Sequence, residues 1–209
     1  MTYLASGAKV PEMLLEPVTL SGTHVRLVPY GPSDFDEVCE AALSAPEIFR
    51  YIPMKMQTRE DLVERMKLAE GMMAAKNAIF FLTRLAATGE LVGSTSSIVT
   101  DAAHRRLEIG FTWILPKAQR TVVNTEAKLL QIGHAFEQGI VRVEFKTDSR
   151  NARSRAALLR IGAKEEGTLR SHMICWDGYR RDSVYFSVIE PEWPAVKARL
   201  ELKLAEAGR

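Results

Sequence analysis

Cysteine is nearly absent from this chain. Cys39 and Cys175 are the only two in 209 residues, and they stand far apart. That spacing excludes a disulfide framework and a cysteine-paired metal pattern. A charge imbalance is missing too: 28 Lys and Arg face 26 Asp and Glu, for a net charge of +2. Nothing in that balance demands a nucleic-acid or anionic-membrane partner. No apolar run approaches membrane-spanning length, and no charged-then-apolar leader opens the sequence. Low-complexity tracts and internal repeats are also lacking. These absences set the expectation of a cytoplasmic protein with reduced thiols, no metal and no membrane or nucleic-acid partner.

What the chain does contain suits one sizeable core, with 46% hydrophobic and 26% charged residues. Residues 1–16 show no clear period and read as an N-terminal arm, leaving 17–209 as a single domain. A first strand is expected near His24–Pro29. Ser33 is expected to cap a helix running to about Ser44, with Asp34, Asp36 and Glu37 in its first turn. Thr58, with Asp61 three residues later, starts another helix. Leu62, Met66, Ala69 and Met73 mark one face of it.

Strands follow at Ile79–Leu85, Leu91–Val99 and Arg106–Leu115. In the last, Leu107, Ile109, Phe111, Trp113 and Leu115 alternate against Glu108, Gly110, Thr112 and Ile114. A helix from Thr125 to Gln138 ends at Gly139. Then come a strand at Val141–Thr147, a helix at Ala152–Ile161 stopped by Gly162, and two strands around Asp177-Gly178, a strong hairpin signal. Pro191 opens a final helix. The order predicts an α/β (α+β) domain with a mixed sheet.

The segment from Gln119 to Lys128 joins a strand directly to a helix. Such a turn presents free backbone N–H groups and the positive end of the helix dipole, a natural phosphate site. Asn124 reads as the N-cap, and Glu126 suits the first turn. A well-capped helix that binds nothing has the same local pattern. Arg120 and Gln119 favour a phosphate ligand.

These residues carry a resemblance. Gln119, Val122 and Asn124 occupy the positions of the acyl-CoA loop of the GNAT superfamily of N-acetyltransferases. There the pattern is Gln or Arg, two residues, Gly, one residue, then Gly or Ala. Trp113 to Pro116 leading in and Asn124 to Lys128 leading out look like its RimJ/RimL branch, which tolerates other residues at the glycine positions. Ser149 to Leu158, followed by Gly162-Ala163, resembles the next motif of the family. Gly167 to His172 and Asp177 to Tyr185 match the C-terminal hairpin of the branch. The likeness runs from about Pro17 to Leu200.

The resemblance implies a mostly antiparallel sheet with two central parallel strands, 107–115 and 141–147, splayed apart. The pantetheine of acetyl-CoA would lie in the gap, against the backbone of Trp113, Ile114 and Leu115. Its pyrophosphate would rest on Gln119, Arg120, Thr121, Val122, Val123, Asn124 and Thr125, with Asn151 and Arg155 as further contacts. A helix cap is the alternative for Asn151, and a solvated face for Arg150, Arg153, Arg155 and Arg160.

The implied reaction is direct attack of a neutral primary amine on the thioester. A terminal α-amine, with pKa near ~8, loses its proton more easily than a lysine near ~10.4. Ser154 is the implied acid for the leaving thiolate. Glu108, read as sharing a strand face with Thr112, and His172 are the candidate bases. The branch assigns a base role to a hairpin Glu, but Met173 stands at that place here. Phe49, Tyr51, Ile52 and Pro53 are candidates for the acceptor wall. The acceptor is a protein N-terminus or a small amine, and a homodimer is left open. A non-catalytic acyl-CoA sensor is the alternative.

Overall fold

The computed structural model describes residues 15–207. Most of the proposed arm therefore lies outside the described residues. Leu15, near its end, is buried, and its N–H donates to the Lys76 carbonyl at 3.0 Å.

Eight strands form one sheet: β1 (Leu20–Ser21), β2 (Val25–Pro29), β3 (Ala78–Leu85), β4 (Leu91–Asp101), β5 (Arg106–Ile114), β6 (Arg142–Asp148), β7 (Lys164–Ile174) and β8 (Arg180–Ile189). Their spatial order is β1-β2-β3-β4-β5-β6-β8-β7, and only β5 and β6 run parallel. Five helices flank it: α1 (Phe35–Leu43), α2 (Arg59–Ala74), α3 (Val123–Glu137), α4 (Ala152–Ile161) and α5 (Trp193–Ala207). This is the mixed, mostly antiparallel architecture expected from the sequence. None of the described helices is long and apolar enough to cross a membrane.

The middle of the sheet is buried on both faces, so β3 reads as a continuous apolar run rather than an alternating one, whereas the edge strand β7 is exposed. Ile79 and Phe81 join a core with α3, α4 and α5. Phe80 and Leu82 point the other way, into a core with α1 and α2.

Local signals place most element ends. The Thr58 hydroxyl accepts from the Asp61 N–H while Asp61 accepts from the Thr58 N–H, a reciprocal cap on α2. Gly162 ends α4 at φ +100°, a left-handed conformation that a side chain would strain. Two caps differ from expectation. Ser33 does not cap α1: a 3-10 turn, Pro32–Asp34, precedes it, and the Asp34 carboxylate accepts from the Gly31 N–H. Asn124 does not cap α3, because the helix begins one residue earlier at Val123 and places Asn124 inside its first turn.

The larger departure is in β5. Ser94 pairs with Trp113 and Ser96 with Gly110, so Phe111 and Thr112 together oppose Thr95. This bulge shifts the alternation by one residue. Leu107 and Ile109 face the α3 side, whereas Phe111, Trp113 and Leu115 face α1 and α2. The single five-residue apolar face read from the sequence is therefore divided between two cores. Glu108 and Thr112 consequently lie on opposite faces, not on one.

Candidate functional site

Beyond the bulge the sheet opens. β5 pairs with β6 only through Arg106–Glu108 against Arg142–Glu144. From there β5 stays with β4, while β6 stays with β8 along its whole length. The two central parallel strands diverge, leaving the β6-facing edge of β5 without a strand partner. Thr112 is exposed in this gap.

A turn rich in free donors follows β5. A 3-10 segment, Pro116–Ala118, leads through Arg120 to α3. Among the described residues, the N–H groups of Thr121, Val122, Asn124 and Thr125 donate to no backbone carbonyl. The Val123 N–H donates to the Thr121 hydroxyl at 3.3 Å, and that hydroxyl donates to the Ala118 carbonyl at 2.7 Å. Val122 sits at φ −68°, so its side chain requires no glycine-like backbone. The unusual residue is Arg120, at φ +60°. Such a left-handed residue costs on the order of 1 kcal/mol or more and is common at ligand-holding turns. Free N–H groups at a helix start, beside an exposed arginine, suit a pyrophosphate.

The structure redistributes the side chains predicted around this turn. Gln119 Nε2 donates to the Ile114 carbonyl at 2.7 Å, and Gln119 Oε1 accepts from Arg153 Nη1 at 2.6 Å. Gln119 thus braces the end of β5 against α4. Arg153 is the guanidinium brought to the turn, whereas Arg155 pairs with Glu165 at 3.3 Å. Arg150 is held by Asp148 and stacks 3.5 Å over Tyr179. The Trp113 ring belongs to the α1–α2 core, edge-on to Phe49 at 5.8 Å, and Leu115 is buried there as well. The side chains of Trp113 and Leu115 are therefore taken up in that core, and only their backbone is left for a ligand in the gap.

On α4, Asn151 acts as a cap: its Oδ1 accepts from the Ser154 N–H at 3.0 Å. The half-buried Ser154 hydroxyl makes no hydrogen bond among the described residues.

Both candidate bases stand on the α1–α2 face of the sheet. Glu108 is buried and accepts from Lys146 Nζ at 2.7 Å. His172 contacts the Ser183 hydroxyl through Nδ1 at 3.0 Å and packs edge-on against Tyr185. Burial first, then the cations of Lys146 and Arg181, holds His172 below its usual pKa, while Glu108 opposes the shift. A neutral imidazole at pH 7 can accept a proton. Of the acceptor-wall candidates, Phe49 is a core anchor. The Tyr51 carbonyl accepts from Arg181 and the Pro53 carbonyl from the Trp176 N–H. Ile52 lines a pocket.

One network had no counterpart in the sequence reading. Lys128 is fully buried on α3, and its Nζ lies 3.0 Å from the Thr95 hydroxyl, 3.0 Å from the Thr112 hydroxyl and 3.1 Å from Gln131 Oε1. Burial pushes its pKa down to about 7. Through Thr112 this buried amine is one hydrogen bond from the gap.

Comparison with known proteins agrees with this geometry. The family model described as the acetyltransferase (GNAT) domain matches residues 24–164. The chain is 34% identical over 110 residues to "Putative ribosomal N-acetyltransferase YdaF" of Bacillus subtilis (strain 168), covering 52% of this chain and 59% of that one. It thus spans less than two thirds of that relative. A GCN5-related N-acetyltransferase from Brucella melitensis superposes with TM-score 0.80 at 29% identity, over 90% of this chain and 85% of that one. RimJ of Mycobacterium smegmatis, solved in complex with CoA-disulfide, shares the fold with TM-score 0.78 at 24% identity, over 90% and 95% of the two chains. With the splayed parallel pair, the donor-rich turn before α3 and a family match over two thirds of its length, the chain belongs to the GNAT acetyltransferase family.

Proposed function

We propose that this protein transfers an acetyl group from acetyl-CoA to a primary amine. The observation that carries this reading is the gap between β5 and β6, placed directly beside the turn of free N–H groups. Acetyl-CoA is long and anionic at one end, and the two features suit its two ends. The N–H groups of Thr121, Val122, Asn124 and Thr125, with Arg120 and Arg153, would hold the pyrophosphate. The open edge of β5 would pair with the pantetheine amides.

The amine approaches from the α1–α2 side of the sheet, where Glu108 and His172 stand. Its surplus proton passes to one of them, directly or through water. The lone pair of the neutral amine attacks the thioester carbonyl and a C–N bond forms; the nitrogen then loses its second proton to solvent as the C–S bond breaks. The Ser154 hydroxyl protonates the departing thiolate and regains its proton from solvent. A backbone N–H of β5 near Ile114 stabilises the developing oxyanion. The acceptor is a protein N-terminus or a small amine; the Bacillus relative is named "Putative ribosomal N-acetyltransferase YdaF".

Thermal shift with acetyl-CoA, followed by thiol release against amines and N-terminal peptides, tests this. Absence of any shift at millimolar acetyl-CoA would remove it. A shift without thiol release would favour an acyl-CoA sensor, a reading supported by Glu108 being held in an ion pair and Asn151 being used as a cap.

Two substitutions locate the roles. Arg120→Glu places a carboxylate beside the phosphates and is expected to weaken acetyl-CoA binding about tenfold or more, as one lost charge-assisted contact implies. Unchanged affinity would count against this turn as the pyrophosphate site. Ser154→Ala is expected to lower kcat by roughly 10²-fold with little change in acetyl-CoA affinity, the range for removing a general acid. An unchanged kcat rules that role out.

A further inference from the structure

The α1–α2 face of the sheet holds a pocket that opens to solvent. Its walls include Ile52, Met56, Met66, Phe111 and Trp113, all apolar. Arg65 also lines it and supplies the only formal charge among the lining residues. The residue is 5% exposed. Its guanidinium carbon lies 4.7 Å from the centre of the Phe80 ring and 4.0 Å from that of Phe111. Among the described residues no carboxylate pairs with it, and its buried Nη1 has no hydrogen-bond partner.

A guanidinium in that position is costly. Two aromatic faces offset part of the desolvation, but they satisfy none of its N–H donors. Burial lowers its pKa to about 10, still far above neutrality, so the charge persists. The placement is not incidental to β5. Phe111, the left-handed residue of the bulge at φ +46°, is the ring lying over Arg65. The same bulge turns Trp113 into the pocket.

Building on the transferase reading above, we propose that this pocket binds the acceptor, and that the acceptor is a small primary amine bearing a carboxylate and an apolar body. Arg65 pairs with the carboxylate through the planar two-pronged geometry that guanidinium and carboxylate share. One guanidinium in an apolar pocket neutralises one negative charge. A phosphate dianion would remain half unpaired there. The flexible Met56 and Met66 and the Trp113 ring take the apolar body. The amine then points along β5 towards the gap, on the face that carries Glu108. A peptide N-terminus has no α-carboxylate, so this chemistry selects a free amino acid or a similar amino carboxylate over a protein end.

The test compares leucine and phenylalanine with leucinamide and phenylalaninamide in wild type, Arg65→Met and Arg65→Lys. Thiol release and direct thermal shift by each compound are both measured. Wild type is expected to prefer the acids by at least 100-fold in kcat/KM and to be stabilised by millimolar acid but not by amide. Arg65→Met should abolish both preferences, keep its acetyl-CoA shift and show an unliganded Tm equal to or above that of wild type. Arg65→Lys should retain part of the preference. Equal use of acid and amide by wild type, or an equal loss for both in Arg65→Met, would overturn the proposal. So would a fall in Tm for Arg65→Met without loss of selectivity, which marks a purely structural residue. The direct shift by leucine stands apart from turnover. If acetyl-CoA neither binds nor reacts, the transferase reading fails while the carboxylate site is still decided.

Discussion

Glu126→Ala is expected to destabilise the protein by on the order of 4 kcal/mol, because three N–H groups, that of Val25 buried and those of Thr23 and His24 partly so, would lose a charged acceptor at once. At this chain length that corresponds to a Tm lower by roughly 8–16 °C. The Glu126 carboxylate accepts from the N–H groups of Thr23, His24 and Val25 at 2.9, 2.6 and 2.7 Å. It therefore ties the turn between β1 and β2 to the first turn of α3, about a hundred residues away in sequence. Gly22 makes room for it: a Cβ there would lie 2.4–2.8 Å from the carboxylate atoms. Gly22→Ala should consequently displace Glu126 and produce much of the same loss. Glu126→Gln retains one acceptor oxygen and should fall between. Calorimetry on the three variants measures this, and a loss below about 1 kcal/mol for Glu126→Ala would mean that water replaces the carboxylate.

The second large effect is a pH dependence centred on Lys128. Its folded pKa, about 7, lies below its ordinary value of 10.5. Between those two values the unfolded chain binds more protons than the folded one, so stability contributed by this residue rises with pH. Below pH 7 both states are protonated, and the full cost of burying the ammonium is present. The shift corresponds to on the order of 4–5 kcal/mol across that window. Lys128→Met, similar in length and uncharged, removes the dependence. Wild type should be markedly less stable than the variant at pH 6 and should approach or pass it near pH 10. Urea unfolding of both proteins from pH 6 to 10 measures the difference. A constant gap, or one that runs the other way, would show that Lys128 stays protonated in the fold throughout the range. Because Thr112 reaches both Lys128 and the β5–β6 gap, acetyl-CoA affinity should follow the same titration in wild type alone.

Much of the fold was readable wherever a signal is local. The Thr58–Asp61 cap, the stops at Gly139 and Gly162 and the Asp177-Gly178 hairpin depend on residues within a few positions of one another. The observed elements begin or end close to the expected places. Asn124 shows the limit of such reasoning. It is a good capping residue, yet α3 starts before it, since the preceding 3-10 turn and Arg120 already set the chain direction. In β5, Leu107 to Leu115 alternates cleanly in sequence. Only pairing with β4 reveals that Phe111 and Thr112 share one partner, and that bulge sends Trp113 to the opposite core.

The candidate site divides along the same line. The donor-rich turn and the β5–β6 pair were legible through the family resemblance. Arg153 in place of Arg155, and Gln119 as a brace, were not, because helix rotation decides which guanidinium reaches the turn. Arg65 left one trace. It falls at i+3 from Leu62 and i−4 from Ala69, within the apolar face of α2, where a charge is out of pattern.

By itself the sequence determined the order of helices and strands, most of their ends, and membership in the GNAT acetyltransferase family. These rest on short-range propensity, periodicity and motif spacing. Only the tertiary structure decided which charges are buried, what they touch and on which side of the sheet they stand. Glu126, Lys128 and Arg65 look like ordinary surface residues in the sequence. Their character comes from desolvation and from partners brought in by sheet register and helix rotation, and neither is encoded by a residue's near neighbours.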